Sequence, residues 1–313
     1  MTKSQVEVGV VHYPGALLSS VQGLAEQFYL ANSICEQQGL GSVFKTHICD
    51  STQLSEPWEE LLKPLQVIVL PPCLDENVYL APQPDLIQWL QEQHENGAII
   101  CSVCAGAFIL AETGLLDGRT VTTHWALSEE FARRYPEVSL DSNKLLINDV
   151  DIITAGGLMS WVDLGLELVA QFTNSQIMRQ LGKFLIVDTA PREQRYYQTF
   201  NPKMDHGDEA IMKAQHELHR NFQKTVVIKH LAQLAHLTER TFLRRFVKAT
   251  GLKPTHYLQQ LRIKKACELI ETNSGSFEKV AAEVGYEDMS AFRKTFLKIT
   301  GQSPREFKHR FVR

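Results

Sequence analysis

The chain has 313 residues, of which 44% are hydrophobic and 22% charged. This is the composition of a folded soluble protein of about two domains, taking roughly 150 residues per domain. No run approaches the ~20 consecutive apolar residues that a membrane span requires. Met1–Val11 shows no basic segment followed by an apolar one, so no secretory signal is expected. Six cysteines in so long a chain are not a disulfide framework, and a reducing cytoplasm is the expected location.

The net charge of −4 by itself argues against nucleic acid as a partner, but its distribution argues for it. Asn221–Arg313 holds 18 Lys+Arg and 8 Asp+Glu, a net +10. The remaining 220 residues hold 14 basic and 28 acidic side chains, a net −14. An acidic body joined to a basic C-terminal third points to an anionic partner for the C-terminal part alone.

Short apolar runs read as strands at Val6–Val11, Phe44–Cys49, Val67–Leu70, Ala98–Ser102, Thr120–Thr123, Leu145–Ile147 and Asp151–Thr154. Helical periodicity occupies Val21–Gln37, Pro84–Asn96, Ala105–Thr113, Ala126–Tyr135 and Met159–Gln180. The alternation predicts an α/β fold, a mostly parallel sheet with helices on both faces. Asn148-Asp149, between two short runs, predicts a hairpin at the sheet edge. Lys183–Asp208 loses the rhythm and contains Pro191, Pro202 and Gly207. The expected division is therefore an α/β domain over residues 1–182, a linker over 183–207 and an all-α domain over 208–313.

The all-α part contains an internal repeat. Thr238–Tyr257 set against Asp288–Phe307, 50 residues on, has six identities in twenty positions: Phe242/Phe292, Phe246/Phe296, Lys248/Lys298, Thr250/Thr300, Gly251/Gly301 and Pro254/Pro304. Each copy follows a short amphipathic helix and a tight turn, so the pattern is helix-turn-helix twice over. The phenylalanines form i,i+4 pairs facing the preceding helix. Two residues further is 200° round the helix, which sets Arg240, Arg244 and Lys248, and then Ser290, Lys294 and Lys298, on the opposite face. Gly251 and Gly301 end their helices. A joining helix over Pro254–Thr272 spans ~28 Å, near the ~34 Å between major-groove segments on one face of DNA.

These residues resemble the AraC/XylS family of transcription regulators, over Thr225–Phe311. The resemblance implies double-stranded DNA as a partner, with bases read from early recognition-helix positions: Thr238, Glu239, Arg240 and Arg244, then Asp288, Met289, Ser290 and Arg293. Arg245, Lys248, Lys294 and Lys298 are the expected phosphate contacts. Glu287 and Asp288 have an alternative use as helix caps.

In the first domain, Ile100–Trp125 carries the chemistry. A buried strand ends at Ser102, a sharp turn presents Cys104, and Ala105-Gly106-Ala107 open a helix, the pattern of a nucleophile elbow. The helix N-terminus is expected to lower the thiol pKa. His124 follows the next strand and is expected beside Cys104. Over residues 5–182 the chain resembles the ThiJ/PfpI superfamily, with the class I glutamine-amidotransferase-like fold. It is similar to the GlxA-like subgroup, in which such a domain precedes an AraC-type tail. The resemblance matches Cys104 to the elbow cysteine and His124 to its histidine. The acidic residue that the enzymes poise on the cysteine falls here on Ser20, or Ser19. Their Gly-Gly oxyanion pair is replaced by Pro71-Pro72, which have no N–H to donate. Asp163 is the remaining carboxylate available to orient His124.

The expected role is a DNA-binding regulator, a non-catalytic descendant of an enzyme scaffold that forms a homodimer. Its expected small-molecule pocket is bordered by Pro14, Gly15, Ser20, Pro72, Cys104, Ala105, His124 and Trp125 at the strand C-termini. The resemblance suggests an amino acid, betaine or amine as effector. Two alternatives stay open: a bifunctional enzyme using Cys104 and His124, and a redox sensor using Cys104 with Cys73. No metal or cofactor is expected, because His12, His47 and His94 lack ligand spacing.

Overall fold

The computed structural model describes residues 5–53, 64–272 and 275–312. The chain divides into two compact units, one ending at Gln194 and the other beginning at Arg195.

The elements of the first unit are β1 (Val6–His12), α1 (Leu18–Gln37), β2 (Phe44–Asp50), β3 (Val67–Leu70), α2 (Glu76–Leu80), α3 (Pro84–Glu95), β4 (Ile99–Val103), α4 (Gly106–Ala111), β5 (Thr120–Val121), α5 (Ser128–Arg134), β6 (Ser139–Leu140), β7 (Leu146–Asp149), β8 (Ile152–Ala155), α6 (Trp161–Phe172) and α7 (Ser175–Leu185). Six strands make one sheet in the order β2-β1-β3-β4-β8-β7, parallel except for the edge strand β7. Val67–Leu70 and residues 100–103 are buried throughout. Such continuous apolar runs mark strands covered on both faces, as the alternation predicts.

Several boundaries differ from expectation. Thr120–Thr123 does not join the main sheet: only Thr120–Val121 is strand, paired in parallel with β6 in a separate ribbon. The helix expected over Met159–Gln180 is two helices. Asn174 stops the first and caps the second, accepting from the backbone N–H of Gln176 and Ile177. The hairpin turn lies one residue later than expected. Asn148 and Asp149 are strand, and Val150 takes the left-handed conformation (φ 65). Asn148 supports it by accepting from the Val150 N–H.

The second unit is helical: α8 (Glu209–Arg220), α9 (Ile228–Leu234), α10 (Glu239–Thr250), α11 (Pro254–Glu271), α12 (Phe277–Glu283), α13 (Met289–Thr300) and α14 (Pro304–Phe311). It holds two small cores, one per repeat. Phe242 and Phe246 lie in the first with Leu231 and Tyr257; Phe292 and Phe296 lie in the second with Ile263, Ile270 and Phe307. All four repeat phenylalanines are fully buried. The long helix α11 serves both cores, giving Tyr257 and Leu258 to the first and Ile263, Ala266 and Ile270 to the second.

Candidate functional site

The two recognition helices are built alike. Thr238 caps α10 by accepting from the Thr241 N–H, and Asp288 caps α13 by accepting from the N–H of Ser290 and Ala291. Gly251 (φ 73) and Gly301 (φ 76) end them in the left-handed conformation. With the phenylalanines buried, Arg240, Arg244 and Lys248 are exposed on α10, and Ser290, Arg293, Lys294 and Lys298 on α13. Among the described residues no ion pair engages Arg240, Arg244, Lys248, Lys294 or Lys298. These cations face solvent without internal partners, which suits phosphate and base edges.

Four of the named positions are otherwise occupied. The polar groups of Thr238 and Asp288 are spent as caps. Met289 is half-buried against the second core. Arg245 is not a spare phosphate contact: it forks onto Asp208, the cap of α8, with Nε to Oδ2 at 2.9 Å and Nη2 to Oδ1 at 2.7 Å. That pair holds Asp208 below the usual carboxylate range. Glu239 is exposed in the first turn of α10. Val247 and Leu297 were not anticipated. They occupy equivalent repeat positions, both exposed beside the cationic stripe. Apolar side chains there suit thymine methyl groups, and the repeat offset was the signal that pairs them.

In the first unit the elbow forms as expected. Cys104 follows β4 with φ 55, a left-handed conformation rare for a residue with a Cβ. Its N–H donates to Ala155 O at 2.7 Å and its carbonyl accepts from Thr123 Oγ1 at 2.7 Å. Gly106 allows α4 to start against the end of β3: a Cβ there would lie 2.7 Å from Pro71 O and 2.8 Å from Leu70 O.

The chemistry differs from expectation. Cys104 is only 5% exposed, and burial pushes its thiol up to about 11 despite the opposing Ala105 N–H. A six-residue helix start does not outweigh loss of solvent. His124 is not on the thiol. Its Nδ1 accepts from the Ala126 N–H at 3.1 Å, its ring stacks on Trp125 at 5.5 Å, and burial keeps its pKa low. Among the described residues no hydrogen bond joins Cys104 to His124. Asp163 does not orient His124 either, because both its oxygens accept from Arg192 Nη2 at 2.7 Å. Ser20 is buried with its hydroxyl donating to Leu17 O.

At the strand C-termini Pro14 and Gly15 meet Cys73. The sheet order places β1 beside β3, where successive connections leave in opposite directions, the usual ligand crevice of an open α/β sheet. Pro14 and Gly15 are exposed there, and Cys73 lies against both, with Sγ 4.0 Å from Pro14 O. The Tyr13 hydroxyl donates to Pro71 O. Burial, then the neighbouring Cys73 and Cys104, raises its pKa well above the ordinary value. Pro72 and Ala105 are buried, and Trp125 is half-buried. His47 and His94 pair with Glu7 and Asp151, and no metal-ligand cluster occurs among the described residues. No helix among them is long and apolar enough to cross a membrane.

Residues 57–171 match the DJ-1/PfpI family, and residues 231–310 match a helix-turn-helix domain. The HTH-type transcriptional regulator CdhR of Pseudomonas aeruginosa is 28% identical over 225 residues, covering 72% of this chain and 67% of that one. The HTH-type transcriptional regulator GlxA of Rhizobium meliloti is 22% identical over 219 residues, covering 68% and 66%. A solved structure from Vibrio parahaemolyticus, 20% identical with a TM-score of 0.51, covers 58% of this chain and all of its own, and shares the fold of the first unit. With two helix-turn-helix motifs behind an elbow-bearing α/β unit, the chain is a DNA-binding transcription regulator of GlxA-like architecture, a DJ-1/PfpI domain followed by an AraC-type helix-turn-helix domain.

Proposed function

We propose that the first unit senses a small molecule without turning it over, and that the chain acts on DNA as a cytoplasmic homodimer. The observation that carries the non-catalytic reading is the elbow itself. It has the backbone of a nucleophile site, but its thiol is held protonated, its histidine is turned to its own loop, and prolines stand where backbone donors are needed. The proposed effector site is at the strand C-termini, where Cys73 lies against Pro14 and Gly15, with Cys104 and Trp125 as its further proposed lining. The proposed effector class is an amino acid, betaine or amine.

On DNA, Arg240 and Arg244 in the first repeat, and Ser290 and Arg293 in the second, are the proposed base readers, with Lys248, Lys294 and Lys298 on phosphates. The 18 residues of α11 span ~27 Å, compatible with successive major-groove segments.

The test is a thermal-shift screen of the full chain and of Cys104→Ala against amino acids, betaines, polyamines and small aldehydes. A ligand of the folded state raises Tm by mass action. A hit retained in Cys104→Ala supports sensing without cysteine chemistry. A hit that is lost in the variant and consumed by the wild type overturns it. DNA binding is read separately as affinity for a duplex selected in vitro, which is expected to fall steeply with salt.

A further inference from the structure

We propose that residues 195–206 form a brace that fixes the spacing of the two recognition helices. The inference rests on the reading that both helices engage DNA together, and every contact it uses lies within the second unit.

No helix or strand forms between Tyr196 and Glu209, so this stretch is placed by what its residues reach. Its first residues grip the second motif. The Arg195 side chain covers Gly301, the left-handed end of α13. Gln302, 4% exposed, donates Nε2 to Tyr196 O at 3.3 Å, and its Oε1 accepts from Arg310 Nε at 3.2 Å. The Arg310 guanidinium lies 4.9 Å from the Tyr196 ring, a cation–π contact. Tyr197 meets Phe311 edge-on at 5.6 Å.

The later residues grip the first motif. Phe200 packs on the first core and meets Tyr257 edge-on at 5.1 Å. Gln215 of α8, fully buried, donates Nε2 to Lys203 O at 2.8 Å. Its Oε1 accepts from His206 Nε2 at 2.7 Å, while His206 Nδ1 accepts from the Asp208 N–H at 3.1 Å. One buried glutamine thus holds a backbone carbonyl at each end of the brace. A buried amide is costly to leave unpaired, so both grips resist release.

The bridge between the grips is short. Tyr197 and Phe200 are three residues apart, which spans at most ~11 Å. The two motifs also share α11, but the brace meets the second motif through Gly301, Gln302 and α14 rather than through α11 itself. A second connection beside the shared helix resists twisting of one motif against the other. Preorganised spacing favours one register on DNA, because one added base pair moves the second segment by ~3.4 Å and turns it by ~35°.

The test is binding of the full chain to two duplexes. One is selected in vitro against the wild type, and the other carries one base pair inserted between the two segments that one protomer protects. The proteins are wild type, Phe200→Ala, and a variant with three glycines inserted after Gln198. The insertion keeps both grips and adds slack between them, so a merely structural role would leave its DNA binding as in the wild type. The wild type is expected to bind the lengthened duplex about tenfold less tightly. The insertion variant should keep a Tm near the wild-type value and reduce that ratio to about threefold or less. Phe200→Ala, which releases one grip, should reduce the ratio likewise at a lower Tm. Discrimination of the wild-type size in the folded insertion variant, or in Phe200→Ala where that variant does not fold, overturns the brace. Wild-type indifference to the spacing is a different failure: it removes the reading that both helices engage DNA together, and the role of the brace with it.

Discussion

Cys104 decides between a sensor and an enzyme, and its reactivity follows from its burial. An ordinary thiol titrates near 8.5, so at pH 7.5 about one in ten is thiolate. Cys104 is held at about 11, which leaves about one in 3,000 and a rate about 300-fold lower before any steric occlusion. The assay is alkylation by iodoacetamide, quenched at intervals and resolved to the Cys104 peptide by mass spectrometry. The other five cysteines are buried or half-buried and need that resolution. The rate at Cys104 is expected to rise about tenfold per pH unit through pH 9, without a plateau. In urea it should return to the ordinary value. Because His124 turns to its own loop, His124→Ala should leave the rate unchanged. A plateau below pH 8, or a rate slowed by His124→Ala, would refute both the burial argument and the non-catalytic reading.

Two further predictions separate roles that sequence alone conflates. Arg245→Ala is expected to lower the Tm of the second unit while leaving the salt slope of DNA binding intact, because its guanidinium is spent on Asp208. Lys294→Ala should keep Tm and reduce that slope by about one; melting curves and salt titrations of both variants check the pair, and reversed outcomes would exchange the assignments. In the first unit, Asp151 accepts both Arg119 Nη1 (2.6 Å) and Nη2 (2.9 Å) and pairs with His94. Chiefly through Arg119, its pKa is held well below the ordinary range. A carboxylate depressed on folding contributes stability above its unfolded pKa of about 4 and loses it as pH falls through the folded value. Asp151→Asn should therefore lower Tm at pH 7 by about 2–4 °C, discounted for its partial exposure. It should also flatten the decline below about pH 4, as melting curves across pH would show.

The repeat and the sheet were legible because both are written in local periodicity. Phe242/Phe246 and Phe292/Phe296 declare their face by spacing alone, and Val67–Leu70 declares a doubly covered strand by its run of apolar residues. What stayed hidden depends on distant partners. Nothing near Arg245 announces Asp208, which lies 37 residues earlier. Gln194 reads as one polar residue in a proline-bearing stretch, and its bonds reach back 50 to 72 residues. The elbow cysteine shows the same division. Its turn was visible in the small residues that follow it, whereas the direction of its pKa shift depends on how much of the fold closes over it. Capping competed with base reading at Asp288, whose side chain accepts from the N–H of Ser290 and Ala291; the cap that Thr238 makes on the Thr241 N–H had no such signal in the sequence reading.

The spacing of the two recognition helices depends on one further residue within the second unit. Arg262, in the middle of α11, donates Nε to Phe222 O at 2.7 Å and Nη1 to Gly285 O at 3.0 Å. Its Nη2 donates to Lys224 O at 3.0 Å and Gln223 O at 3.3 Å. The first, third and fourth carbonyls precede α9, and the second lies in the turn before α13. One planar fork therefore locks the approach to the first motif against the turn of the second. Gly285 permits this closeness because a Cβ would overlap Gln223 O. A lysine cannot serve four carbonyls with a single ammonium. Arg262→Lys is expected to weaken binding to a duplex carrying both half-sites by about tenfold or more, through loss of preorganisation. No phosphate contact is removed, so the salt slope should not change. On a duplex carrying one half-site the variant should bind nearly as the wild type does. A slope reduced by about one, or an equal loss on both duplexes, would show that Arg262 acts on the DNA itself rather than on the distance between its two readers.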